Sequence, residues 1–493
     1  MARTRTLTTA LVFALAGGCA TTPEKKPEPA PQPPPAEQAP VEAWRQNPPV
    51  PAAPPELLTP TFQKASLPNG MELYVSERHD LPIVSMGVAF AAGSAQDPAG
   101  KAGLADLTMR TLLEGAGKRD AIALEEAFAE LGATPSAAAR PDGAFVGTTA
   151  LTRNAPQAMA LLADVVLRPT LKAEDFKRKQ REHLNTLARQ AGNPGFLAQE
   201  AFTAAIYGEG HPYGSLTSGV PATVAKLTAK DAQTWYRSNV GPKAAALVVT
   251  GDVTLEQAKQ WAEQYFGKWK GAAARPPKPS VVKNGKRERV LVPKPGLAQT
   301  IIVMGRPSIE SGNPDQAALE LASTVFGGFF GSRLNLNLRE DKGYSYGASA
   351  YVDPRRGPGP LMASSAVRAD VTGPAVKEFY NELEGLKSRP ISKQELDAAR
   401  EGLIRSLPGS FNSVEDLNSA AAGLYWEERP LDYYKKLVER LEGASLEQVQ
   451  AAAVKYFDPA ELDLVLVGDP DMVMTQMGQL GFGDVQLHQP PVK

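Results

Sequence analysis

Four histidines and one cysteine are the whole supply of imidazole and thiolate metal ligands and of thiol nucleophiles in the 493 residues. His79, His183, His211 and His488 lie far apart, and no two share a helix face at the spacing a zinc clamp needs. His183 falls in a charged helical stretch and reads as a solvated surface residue, while His211 reads as structural within a turn. Asp106 and Arg110 stand four residues apart with the acid first. On an exposed helix face that orientation contributes about 0.2–0.5 kcal/mol.

Cys19 has a different character. Arg3 and Arg5 form a basic head, Leu7 to Gly18 an apolar stretch too short to span a bilayer, and small residues lead into the cysteine. The pattern resembles a bacterial lipoprotein signal, with residues 1–18 removed and Cys19 lipidated. Ala20 stands where an inner-membrane retention signal would place Asp, which points to the periplasmic face of the outer membrane. A plain secretory signal and a buried free cysteine are the alternatives. Residues 19–56 are rich in Pro, Ala and Glu and read as a disordered, semi-rigid tether. Lys and Arg number 53 against 54 Asp and Glu, so nothing suggests a nucleic-acid partner.

A chain of this length calls for about two to three domains. Order begins near Leu57. Phe62 to Leu67 and Met71 to Val75 flank Pro68-Asn69-Gly70 and predict a hairpin with a type I′ Asn-Gly turn. Val84, Met86, Val88 and Phe90 alternate, so one face of that strand is expected to be buried. Leu124, Phe128 and Leu131 share a helix face, and Gly132 is the expected stop. Pro242 with Gly251-Asp252 recurs 217 residues later as Pro459 with Gly468-Asp469. Thr228-x-x-Asp231 and Ser445-x-x-Gln448, both helix caps by pattern, keep the same offset. The expectation is an α+β fold of two homologous lobes, residues 57–270 and 290–490, joined by a linker at 271–289. Each lobe is expected to be a mostly antiparallel sheet covered by helices on one face, the pair forming a clamshell.

A duplicated lobe of this kind resembles the zinc metallopeptidase family of pitrilysin, insulin-degrading enzyme and mitochondrial processing peptidase. Gly210-His211-Pro212-Tyr213-Gly214 is similar to a turn in that family's first lobe. Gly331-Ser332-Arg333-Leu334, Leu338-Arg339-Glu340 and Gly343-Tyr344-Ser345-Tyr346 are similar to a stretch of its second. The resemblance covers residues 57–490. It implies a helical H-x-x-E-H motif, two zinc-binding His and a general-base Glu. Here Asp106 and Arg110 hold the histidine positions and Met109 the glutamate position, so the motif is degenerate and no complete catalytic set is present. The third ligand is also missing, with Asn185-Thr186 in the place of an acidic pair. The resemblance further implies that Arg339 and Tyr346, seven residues apart, bind substrate by donating hydrogen bonds to a peptide carbonyl or oxyanion. The chain therefore reads as the non-catalytic, substrate-clamping subunit of a heteromeric periplasmic zinc peptidase. It carries no metal of its own, and zinc and the H-x-x-E-H motif are expected in a partner subunit. The alternative is an envelope peptide-binding or scaffold protein unconnected with proteolysis.

Overall fold

Two six-stranded sheets are built in the same order. The computed structural model describes residues 59–208, 210–280 and 287–489. Cys19, the signal stretch and the whole tether lie outside the described residues. From its open edge the first sheet runs Ser136–Ala139, Ala144–Leu151, Ile83–Phe90, Ala245–Gly251, Glu72–Glu77 and Gln63–Ser66. The second runs Ser345–Val352, Pro360–Arg368, Gln299–Pro307, Asp463–Gly468, Arg289–Pro293 and Gln486–Leu487. In both, the third strand is antiparallel to its two neighbours, and the fourth and fifth are parallel. Only the far edge differs, where an antiparallel hairpin strand in the first sheet is replaced by a parallel C-terminal one.

The caps that marked the repeat are present. Thr228 and Ser445 accept hydrogen bonds from the backbone N–H of Asp231 and Gln448, and each closes a capping box. Gly132, at φ +64°, ends the Ala121–Glu130 helix, with Gly132 N–H on Ala129 O and Ala133 N–H on Phe128 O.

The hairpin turn differs from its expectation. Pro68 and Asn69 are the central residues of a turn closed by Gly70 N–H to Leu67 O at 2.9 Å, and only Gly70 has a positive φ, +89°. Proline fixes φ near −65° and suits the first central position of this turn, so the chain forms a longer loop with Gly70 in the left-handed bulge. The Asn69 amide donates to Phe266 O and Trp269 O, which ties the hairpin to the end of the lobe's last helix.

A larger difference concerns the sheet faces. Helices cover both faces of each sheet, not one. The lobe's own helices take one face, and a single helix from the other lobe takes the second. Pro194–Tyr207, from the first half, packs on Asp463–Gly468, Gln299–Pro307 and Arg289–Pro293. Val414–Trp426, from the second half, packs on Ile83–Phe90, Ala245–Gly251 and Glu72–Glu77. Strand alternation therefore serves two cores. Val84, Met86, Val88, Leu247 and Val249 enter the first lobe's own core. Ala89, Ala246 and Val248 pack in the core that holds Ala421 and Trp426. Central strands buried on both faces must be apolar throughout, as Ala245 to Val249 and Leu464 to Val467 are.

The described part of the expected linker packs against the second half, and a strand begins at its last residue. Ala273 is buried, and Arg275 donates to Tyr425 O and Trp426 O with its guanidinium 4.3 Å from the Tyr425 ring centre. Arg289 is already the first residue of a strand.

Candidate functional site

The helix Leu104–Leu112 carries the degenerate motif. Gly103 precedes it at φ +96°, and a Cβ there would come within 2.8 Å of Ser218 O. Asp97 receives the N–H groups of Gly103, Leu104 and Ala105 at 2.8–3.1 Å, satisfying donors that the helix leaves unpaired. Burial pushes its carboxyl up to about 7, against the pull of those three N–H groups.

Met109 is 0% exposed and is part of the core. Arg110 Nε donates to Asp106 Oδ2 at 2.8 Å, so the pair expected from spacing is formed. Asp106 is nearly buried while half of the Arg110 side chain is exposed. His183 is 4% exposed, which corrects its reading as a surface residue. Phe176, His183 and Leu187 form the buried seam of the helix Ala173–Gln190, facing Leu104–Leu112. The imidazole is satisfied there by donating Nε2–H to Ser218 O at 2.7 Å, 3.8 Å from Asp106 Oδ2. Glu114 accepts from Arg178 at 2.5 Å and from Lys179 at 2.7 Å. A cleft of about 340 Å³ lies over this network, lined by Arg110, Glu114, Ala137, Lys179, His183 and Thr186. Of the two residues at the expected third-ligand place, Thr186 lines the cleft and Asn185 is exposed.

These residues do not fit zinc. The guanidinium of Arg110 bonds the one carboxylate at a ligand position, and the His183 N–H is spent on a carbonyl. Among the described residues no three His, Cys, Asp or Glu side chains converge to hold a metal. Asp106→Ala is expected to lower the melting temperature by the equivalent of about 1 kcal/mol, since the buried acceptor is removed and the half-exposed Arg110 loses its ion-pair partner. It is not expected to add zinc affinity. Differential scanning calorimetry and zinc titration check the two halves, and unchanged stability with new zinc binding would refute the ion-pair replacement.

In the second lobe Arg339 lies on the π-helical turn Leu336–Asp341, a wide geometry that is frequent at functional sites. Its guanidinium sits 4.7 Å from the Phe330 ring centre, and its Nε is 3.2 Å from Glu340 Oε1. Tyr346 is 88% exposed and has no hydrogen-bond partner among the described residues. The segment beneath them is pinned. Arg333 donates to Glu395 at 2.6 and 3.0 Å and to the carbonyls of Arg389 and Pro390. Burial raises the Glu395 pKa, but Arg333 and Ser392 outweigh it and hold the carboxyl down to about 2. Asn335 exchanges both hydrogen bonds with Ala348, so a side-chain amide acts as a strand partner beside Tyr346. Sequence reasoning missed Asn335 and Phe330; the run Gly327-Gly328-Phe329-Phe330-Gly331 was the available signal, since paired exposed phenylalanines need a use.

Among the described residues no hydrogen bond or ion pair joins Asp106, Met109 or Arg110 to Arg339 or Tyr346. The Gly210–Gly214 turn does join the lobes. Tyr213 OH donates to Asp142 Oδ1 at 2.5 Å and accepts from Gly357 N, while Asp142 Oδ2 accepts from Arg356 N. His211 donates to Ser280 O, accepts from Tyr213 N and stacks on Tyr207 at 4.9 Å. Burial lowers its pKa.

Two sheets of one order, each bearing a helix of the other lobe, define a duplicated, two-lobed α+β chain. Two family models match it: Insulinase (Peptidase family M16) over residues 73–216, and Peptidase M16 inactive domain over residues 226–403. The chain belongs to the M16 peptidase family. An uncharacterized zinc protease of Mycobacterium bovis is 24% identical over 410 residues, 82% of this chain and 92% of the relative. One from Bacillus subtilis is 22% identical over 79% of this chain and 94% of its own length. Among solved structures, a peptidase M16 inactive domain from Pseudomonas fluorescens superposes with TM-score 0.76 at 27% identity, covering 83% of this chain and 98% of that one. A protease from Helicobacter pylori, 19% identical with TM-score 0.76, covers 83% and 100% and shares the fold.

Proposed function

We propose that the chain is the non-catalytic, substrate-clamping subunit of a heteromeric zinc metallopeptidase of the cell envelope, held to the periplasmic face of the outer membrane through lipidated Cys19. The observation that carries this reading is a contrast within one chain. The motif helix has Asp106 bonded to Arg110 where metal ligands belong, while Arg339 and Tyr346 keep their donors exposed on a rigidly pinned segment. Zinc and the attacking water belong, on this reading, to a partner of the same family that carries H-x-x-E-H. This chain's part is to hold an extended peptide, with the guanidinium and phenol bonding a carbonyl oxygen as charge develops on it.

The test is affinity capture of the tagged, lipidated protein from mildly solubilised envelope, with identification of what co-purifies. A stoichiometric H-x-x-E-H chain supports the reading. Recovery of the chain alone, or with proteins unrelated to proteolysis, overturns it in favour of an envelope peptide-binding or scaffold protein.

A further inference from the structure

Where the first lobe meets the linker lies a cavity of about 480 Å³. The end of the Ala155–Leu167 helix, the loop 168–171, the helix Ala229–Asn239 and residues 269–271 wall it. It shares no lining residue with the Arg110–Lys179 cleft, and its volume is that of a small-molecule site. Val166, Leu171, Val240 and Trp269 supply its apolar surface. Its charged residues are Arg168, Arg237 and Lys270, and among the described residues no Asp or Glu lines it. That imbalance is local, since the whole chain carries 53 basic against 54 acidic residues.

Most polar groups at the cavity are already bonded. Arg168 pairs with Asp164, one turn earlier. Tyr236 OH donates to Val166 O at 2.6 Å, Gln233 Nε2 to Leu171 O at 3.0 Å and Thr170 Oγ1 to Gly115 O at 3.2 Å. The Arg237 guanidinium, the Lys270 ammonium and the Trp269 indole N–H have no hydrogen-bond or ion-pair partner among the described residues. All three only donate. Positive charge and free N–H groups beside apolar surface suit an oxyanion attached to an apolar body. The backbone agrees. Leu171 is 5% exposed and holds φ at +42°, where a branched side chain is strained, and the Gln233 bond to its carbonyl fixes it there. Strained positions of this kind cluster at ligand sites.

We infer that this cavity binds an amphipathic acid, a carboxylate or phosphate on an alkyl or aromatic body. Arg237 and Lys270 take the oxyanion, and Val166, Val240 and the Trp269 ring take the body. A bare inorganic anion leaves the apolar wall uncovered, and an uncharged apolar molecule leaves the donors unmet. The inference needs neither a partner subunit nor a peptide, so it stands or falls apart from the reading above.

The test is isothermal titration calorimetry of the full chain with 1-naphthylacetate and its uncharged isostere 1-naphthylacetamide. The acid is expected to bind at least about tenfold more tightly than the amide. Arg237→Gln combined with Lys270→Gln, both at exposed positions, is expected to abolish that preference without moving the melting temperature. Equal binding of acid and amide, or a preference that survives the double substitution, overturns the inference. Decanoate and dihexanoylphosphatidylglycerol, each below its micelle concentration, then compete for the bound acid. Displacement by decanoate supports the inference with a free acid as ligand, and displacement by the phospholipid supports it with a lipid headgroup. Displacement by neither overturns it.

Discussion

On the proposed reading, replacing Arg339 with alanine is expected to lower peptide hydrolysis by the two-subunit complex about 100- to 1000-fold, the loss expected when a preorganised donor to a developing oxyanion is removed. The zinc content of the partner is expected to be unchanged. Geometry makes the substitution interpretable. Among the described residues the charged contacts of Arg339 are a local ion pair with Glu340 and the face of Phe330, so it adds little to holding the fold together. Arg333, only six residues earlier, has five hydrogen bonds to Glu395 and nearby carbonyls, and its loss would unpin the segment. Arg339→Ala should therefore leave the melting temperature in place, and Arg333→Ala should lower it. Arg339→Lys is not expected to rescue, because an ammonium cannot reproduce the planar fork of a guanidinium. The loss should fall mainly on kcat, as an interaction made in the transition state requires. Full activity of the Arg339→Ala complex would remove this chain from the chemistry and leave it a binding role.

The duplicated lobe was legible because its punctuation is local. A proline, a capping box and a Gly-Asp strand end act within a few residues, so their recurrence at one spacing survives divergence elsewhere. The Asp106–Arg110 pair was legible for the same reason, being a one-turn relation on one helix. What sequence did not reveal is which sheet each helix covers. Pro194–Tyr207 and Val414–Trp426 are apolar on most sides, and periodicity cannot say that each crosses to the other lobe. The glycines at the crossing points were the unread signal. A Cβ at Gly305 would meet the Phe202 ring at 2.7 Å, and one at Gly143 would meet the Trp426 ring at 2.4 Å. His183 was misread because its own helix is strongly charged, while the group that buries it, Ser218 O, comes from a loop 35 residues away. Phe330 under Arg339 was likewise a contact between two segments that no single-helix pattern brings together.

Phe202→Ala should produce the largest stability loss of any single truncation considered, about 3–5 kcal/mol. The ring is 1% exposed and lies against Val303, Val465 and Val467 on the far face of the second sheet. Removing it leaves a cavity bordered by Gly305, which has no side chain to relax into the space, so little of the cost is recovered by collapse. The same helix joins the first half to the second, and its counterpart Val414–Trp426 returns the connection through Trp426 Nε1–H to Phe90 O and Asn418 to Ser85 O. Each lobe's core thus includes an element whose own strands are elsewhere. Scanning calorimetry should show a single transition moved to lower temperature, with both lobes melting together. Phe202→Leu, which keeps most of the volume, should lose much less. If Phe202→Ala instead splits the melt into two transitions, with the first lobe unmoved, the exchanged helices pack without coupling the lobes. Either half expressed alone would then fold, whereas coupling through exchange requires that neither does.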